Sequence, residues 1–223
     1  MKDTIAIIPA RKNSKRLKFK NIKDFMGKPL IYYAIKSALK SNFISEVIVS
    51  TDCMKTKKIS EKFGAKVPYL RDRKLSSDNA TTIQLIQDLY VKYISKKKKI
   101  KKIIILQPTS PLRDYKDVNN SMNFFNLKKA DYVVSVCEAK PKNWFINIKQ
   151  NKAINKSYIF KKEKQSKNYL LNGAIYIFKS SLFKKNLKIK KPYAFIMDSK
   201  KFVDIDNKFD FELARLIKKY IKY

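Results

Sequence analysis

Arg11, Ser14, Lys15 and Lys20 fall within ten positions, directly behind the apolar run Ile5 to Ala10. Guanidinium and ammonium groups neutralise phosphate charge, while a hydroxyl and backbone N–H groups donate to phosphate oxygens. The set reads as a cradle for a triphosphate. Its spacing is not that of a Walker loop, which places glycines around a Lys-Ser/Thr pair. A solvated strand-to-helix connection is the competing reading of so basic a loop taken alone.

Near the other end of the chain, Phe202-Val-Asp-Ile-Asp206 alternates apolar and acidic residues. As a strand it sets Asp204 and Asp206 on one face, where two carboxylates can share Mg²⁺. Helix capping is the alternative for Asp206. For Asp52, in Ser50-Thr-Asp52, a cap is the first reading and a metal or substrate contact the second. Arginine supplies a further pointer, because only six of the 52 basic residues are arginine. A planar two-pronged donor is hard to replace where phosphate or carboxylate is held, which singles out Arg11, Arg71 and Arg113. For Arg16 and Arg73 an exposed, solubilising position is the competing reading, and for Arg73 it is the first.

The chain contains no histidine. That removes the usual general base, the Ser-His-Asp and Cys-His arrangements, and His-containing metal sites. Chemistry must come from carboxylates, lysine, arginine or a metal. A formal charge of +34 invites a polyanion-binding reading. The excess is nearly all lysine, accompanied by abundant isoleucine and asparagine, and no ordered aromatic and basic motif for base stacking accompanies it, so no specific nucleic-acid site is expected. The two cysteines, Cys53 and Cys137, stand far apart. Neither a disulfide framework nor a zinc knuckle is expected, and a reducing cytoplasm is. No apolar run approaches the length of a membrane span.

The elements that must position these groups follow from periodicity. Ile5 to Ala10, Glu46 to Ser50, Val67 to Leu70, Ile103 to Leu106 and Tyr132 to Val136 read as strands. Helices are expected over Leu30 to Leu39, Met54 to Phe63, Thr81 to Ile94, Tyr115 to Leu127 and Phe209 to Ile221. Strand and helix alternate, so the fold class is α/β, Rossmann-like, with a mostly parallel sheet flanked by helices. In such sheets ligands bind at the carboxyl ends of the strands, where Arg11, Asp52, Arg71 and Gln107 should gather. Length and the lack of a linker indicate one domain over residues 1–223, with an excursion at about 138–195.

In order and spacing, several segments together resemble the acylneuraminate cytidylyltransferases, which activate sialic acid and related nonulosonic acids as CMP-sugars. They are Pro9 to Asn21, Gly27-Lys-Pro-Leu30, Val49-Ser-Thr-Asp52, Arg71 with Leu75-Ser-Ser-Asp78, Gln107-Pro-Thr-Ser-Pro-Leu-Arg113, Asn172 to Ile177 and Val203-Asp-Ile-Asp206. The resemblance implies Mg²⁺-dependent attack of an anomeric hydroxyl on the α-phosphate of CTP, with release of pyrophosphate. It implies that Arg11, Ser14, Lys15 and Lys20 hold the phosphates and that Asn21, Arg71, Ala80 and Thr82 line the cytidine site. Gln107 and Asn172 would face the sugar, Asp204 and Asp206 would bind the metal, and Arg11, Lys20 and Asp206 would form the catalytic set. It further implies a homodimer, formed through the excursion.

The chain departs from that pattern in two places. Lys12-Asn13 stands where many relatives carry glycines. Leu170-Leu171 replaces an Arg-Pro pair before Asn172, leaving Lys140, Lys142 or Lys167 as substitute partners for the sugar's acid or acyl group. The second departure keeps legionaminate open beside sialate, whereas the Gln107 to Arg113 segment weighs against the pseudaminate branch. A different sugar-acid nucleotidyltransferase and a polyanion-binding protein on an enzyme scaffold are the alternatives.

Overall fold

The structure, a computed structural model, describes residues 2–12, 14, 16–139, 148–149, 152–153, 167–184 and 191–221. At its centre is β1 (Thr4–Pro9), whose buried side chains divide between two cores by the two-residue period of a strand. Ala6 and Ile8 enter one core, Ile5 and Ile7 the other. β5 (Lys102–Leu106) repeats the division, with Ile104 and Leu106 on one side and Ile103 and Ile105 on the other. A strand buried on both faces must carry such an uninterrupted apolar run, and it requires helices above and below.

Those helices are α1 (Ile31–Leu39) and α4 (Tyr115–Leu127) on the first face and α3 (Thr82–Lys92) on the second. α2 (Met54–Lys62) adds the partly buried Ile59, which with Phe63 beyond its end packs against the first core. β1 pairs in parallel with β4 (Ile44–Ser50) on one side and with β5 on the other. The chain thus leaves β1 for β4 and later returns to β1's opposite edge, creating a switch point at the strands' carboxyl ends.

Beyond β5 lie β9 (Asn168–Lys179), β6 (Tyr132–Ala139) and β10 (Tyr193–Met197), giving the order β4-β1-β5-β9-β6-β10. β9 runs antiparallel to both neighbours, and the other pairings are parallel. β9 and β10 therefore belong to the main sheet, so the expected excursion at 138–195 is narrower than its bounds. Apart from the main sheet stand the hairpin of β7 (Ile148–Lys149) with β8 (Lys152–Ala153), and that of β2 (Asp24–Phe25) with β3 (Lys28–Pro29). Trp144 and the rest of 140–147, expected at a subunit contact, lie outside the described residues.

Two expected strands are absent. At Val67 to Leu70 the ladder stops after a single bridge between Ile48 and Lys66. Pro68 has no N–H to extend it. Phe202 to Asp206 is extended but joins no sheet. Its alternation nonetheless holds, because Val203 and Ile205 are buried with Phe25 and Phe211 in a third apolar cluster beneath α5 (Lys208–Tyr220). The Ile205 N–H donates to the Thr109 carbonyl at 2.9 Å, fastening the segment to the loop after β5.

That loop is itself pinned by Arg113, which is 3% exposed. Its Nη1 donates to the Gln107 carbonyl at 3.0 Å and to the Ala174 carbonyl at 2.9 Å, joining the loop to β9. Burial pushes its pKa down to about 10 against the pull of Asp117 and Asp114. Replacing Arg113 with Ala should strip both carbonyls of a donor and destabilise the fold by about 2–4 kcal/mol. Urea denaturation followed by circular dichroism measures this loss.

Candidate active-site cleft

A cleft of about 520 Å³ opens where the carboxyl ends of β1 and β5 face the amino end of α3. Arg11, Ser14, Lys20, Asn21, Arg71, Ala80, Thr82, Gln107 and Asp206 all line it. Lys15 lies outside the described residues. Asn172 and Asp204 are not among the lining residues.

Each wall has a local cause. Pro9 ends β1, and the following loop is anchored by Asp52, whose Oδ1 accepts from the Lys12 N–H at 2.7 Å. Asp52 is therefore not the cap of α2, whose N-cap is Cys53 with no side-chain bond. Asn21 is buried, and its Nδ2 donates to the Arg11 carbonyl at 3.1 Å, fixing the far side of the same loop. α3 begins in a reciprocal capping box between Thr81 and Gln84. Ala80, Thr81 and Thr82 line the cleft, so the positive end of the helix dipole faces it.

Basic and acidic ends of the chain meet here. Lys20 Nζ donates to the Ile205 carbonyl at 2.6 Å and lies 3.3 Å from Asp206 Oδ1. Arg16 Nη1 lies 3.3 Å from Asp206 Oδ2. Capping of α5 falls to Asn207, whose side chain accepts from Asp210 N, while Asp210 Oδ2 accepts from the Asp206 and Asn207 N–H groups. The Asp206 side chain is thereby left to the cleft. Arg16 is exposed, as the surface reading had it, and it also lines the cleft, a placement its sequence neighbours do not signal.

Arg71 is the buried cation of the cleft lining. It is 8% exposed, and its Nε and Nη2 have no hydrogen-bond partner. Burial lowers its pKa, Asp52 opposes that, and Arg11 adds to it. A buried guanidinium with unpartnered N–H groups is costly, and an anionic or carbonyl-bearing ligand in the cleft would relieve it. Arg11 is held differently. Its Nη1 donates to Asp78 Oδ1 at 2.8 Å and to the Ser77 carbonyl at 3.3 Å. Asp78, quoted above only as part of a motif, is thus a cleft residue that sequence reasoning left without a role.

Asn172 is placed elsewhere. It is 3% exposed, its Oδ1 accepts from Ser135 Oγ at 2.5 Å and from Ala174 N at 3.2 Å, and its Nδ2 faces Met197 Sδ at 3.3 Å. The oxygen end of the amide serves an irregularity in β9, where Val134 pairs with Tyr176 but Val136 pairs with Leu171, and the nitrogen end reaches β10. The adjoining Gly173 takes a φ of +68°, which the irregularity requires. A Cβ there would lie 3.5 Å from Asp204 Oδ2, so the Asp204 carboxylate sits over this turn of backbone.

The Asp204 pKa is raised, first by desolvation and then by the like charges of Asp206 and Asp210, against the Thr109 hydrogen bond and Lys20. A raised carboxylate pKa penalises the ionised form in the folded state. The penalty is absent at low pH and grows as pH rises through the folded pKa. Asp204→Asn should therefore melt at a higher temperature than the parent at about pH 7, and the difference should vanish near about pH 3, where both side chains are neutral. Calorimetry across that range checks the sign.

A mostly parallel α/β sheet with a basic cleft at its switch point is an architecture of the Rossmann-like kind. Comparison with known proteins is more specific. The cytidylyltransferase family model matches residues 5–218, and the chain belongs to that family. It is 34% identical over 220 residues to an N-acylneuraminate cytidylyltransferase of Escherichia coli, covering 94% of this chain and 51% of that one. The chain thus spans about half the length of that relative. It is 34% identical over 178 residues to the CMP-N,N'-diacetyllegionaminic acid synthase of Legionella pneumophila, covering 78% and 76% of the two chains. To a pseudaminic acid cytidylyltransferase of Campylobacter jejuni it is 30% identical over 96% of both. Among solved structures, a CMP:2-keto-3-deoxy-manno-octonic acid synthetase complexed with CTP superposes with a TM-score of 0.72 at 16% identity, covering 98% and 99%, a likeness of fold.

Proposed function

We propose that this protein transfers CMP from CTP to the anomeric hydroxyl of a nonulosonic acid. The observation that carries the reading is the meeting of Arg11, Lys20 and Arg71 with Asp206 in one cleft. In the reaction the anomeric oxygen forms a bond to the α-phosphorus and gives up its proton. The bond from that phosphorus to the β-phosphate oxygen breaks, and pyrophosphate leaves with the electron pair. Arg11, Ser14 and Lys20 neutralise and orient the phosphates, and the unpartnered N–H groups of Arg71 receive acceptor oxygens of the nucleotide. Asn21, Ala80 and Thr82 shape the nucleoside wall, and Gln107 faces the sugar. Asn172 serves that side indirectly, by holding the β9 backbone on which Asp204 rests.

Asp204 and Asp206 fit a magnesium ion. Mg²⁺ needs only one or two carboxylates when phosphate oxygens and water complete its octahedron, so the lack of a larger acidic cluster among the described residues is no obstacle. The raised pKa of Asp204, in part from the Asp206 charge, marks two carboxylates whose fields a cation would relieve. Bound there, the ion would neutralise charge on the phosphate oxygens.

The three named relatives act on different acids of one class, and their identities to this chain are similar, which supports the class rather than one member. Leu170 and Leu171 are 44% and 65% exposed, and Lys167 is exposed beside them. Lys140 and Lys142 lie outside the described residues. Leu171 pairs with Val136, which pairs in turn with Ile196, itself 56% exposed. This apolar row supports a homodimer. Two unpaired cysteines agree with a cytoplasmic setting, and no helix among the described residues is long and apolar enough to cross a membrane.

A pyrophosphate-release assay pairing each common nucleoside triphosphate with sialate, legionaminate, pseudaminate and a Kdo-type acid tests the reading. Release is expected only with CTP, Mg²⁺ and a nonulosonic acid, and silence across the panel overturns the proposal. Asp206→Asn should lower kcat by about 100-fold. Near-parental turnover in that variant would remove Asp206 from the metal site.

A further inference from the structure

A second cavity of about 470 Å³ adjoins the first. Arg11, Ser14, Ser77 and Asp78 line both, whereas Lys12, Lys18, Phe19 and Ser76 line only the second. Where the two linings overlap, Arg11 contacts Asp78 Oδ1 at 2.8 Å, which ties the loop after β1 to the loop before α3. The pair is partly exposed, with side chains 37% and 47% accessible, so its ionic bond is screened and exchangeable.

The second cavity presents Arg11, Lys12 and Lys18 against the single carboxylate of Asp78, together with serine hydroxyls. That donor set suits a small, highly charged anion bearing many oxygens. The geometry points to this cavity as the receiving site for the pyrophosphate leaving group, with Arg11 as the cation that passes it across. The inference rests on the reaction proposed above. Because Arg11 and Ser14 face both cavities, the anion can cross without losing either contact.

Titration calorimetry with inorganic pyrophosphate tests the assignment, using the full chain saturated with α,β-methylene-CTP, which cannot release its own pyrophosphate. Pyrophosphate should bind the saturated protein. The double variant Lys12→Ala/Lys18→Ala should weaken that binding by about ten-fold or more, yet keep its affinity for the analogue within about two-fold. Both lysines are exposed, so the melting temperature should be unchanged. Exclusion of pyrophosphate from the saturated protein, or equal binding by the double variant, overturns the inference. So does equal affinity for orthophosphate, which would mark a general anion trap. If the analogue itself fails to bind, the reaction proposed above falls, and titration of the free protein decides the cavity. Loss of one equivalent of pyrophosphate in the double variant supports it, and an unchanged stoichiometry overturns it.

Discussion

Lys20 holds the two ends of the chain together. Its side chain is 11% exposed, and its ammonium bonds the Ile205 carbonyl while facing the Asp206 carboxylate. A buried ammonium must find such partners, and here they come from a segment 185 residues away. The loop after β1 is thereby fastened to Phe202 to Asp206, whose Val203 and Ile205 are held in the third apolar cluster under α5. The cleft opens at that junction.

Around this link the cleft is arranged as a set of cations provisionally satisfied by the chain's own acids. Asp78 meets Arg11, while Asp206 meets both Lys20 and Arg16. Arg71 alone of the named cleft cations is buried with N–H groups left over. A polyanionic ligand can replace the carboxylates at the first group and supply what Arg71 lacks. This division explains how a strongly basic site remains compatible with a folded chain.

Below the cleft, rigidity comes from buried polar contacts. Arg113 joins the loop after β5 to β9, and Asn172 with Ser135 stabilises the irregular stretch of β9 that supports Asp204. These groups are as polar as those in the cleft, but the hydrogen bonds they make join one strand or loop to another. Residue type alone does not distinguish the two uses.

The alternation of apolar runs determined the α/β class, the helices α1 through α5 and the placement of loops at strand ends, because these depend on local period and on burial of both faces of a sheet. Motif order determined most of the cleft, since Arg11, Lys20, Arg71, Gln107 and Asp206 stand in segments that open onto it. The tertiary structure decided the rest. Pro68 and the packing of Val203 and Ile205 turned two apparent strands into extended segments, because a ladder needs a neighbouring edge with free donors and acceptors. It gave capping of α5 to Asn207 rather than Asp206, withdrew Asn172 into the sheet, and brought Asp78 and Arg16 to the cleft. Each of these outcomes turns on which partner lies within hydrogen-bond reach across many residues, and that is a property of the packed chain that no local window of residues contains.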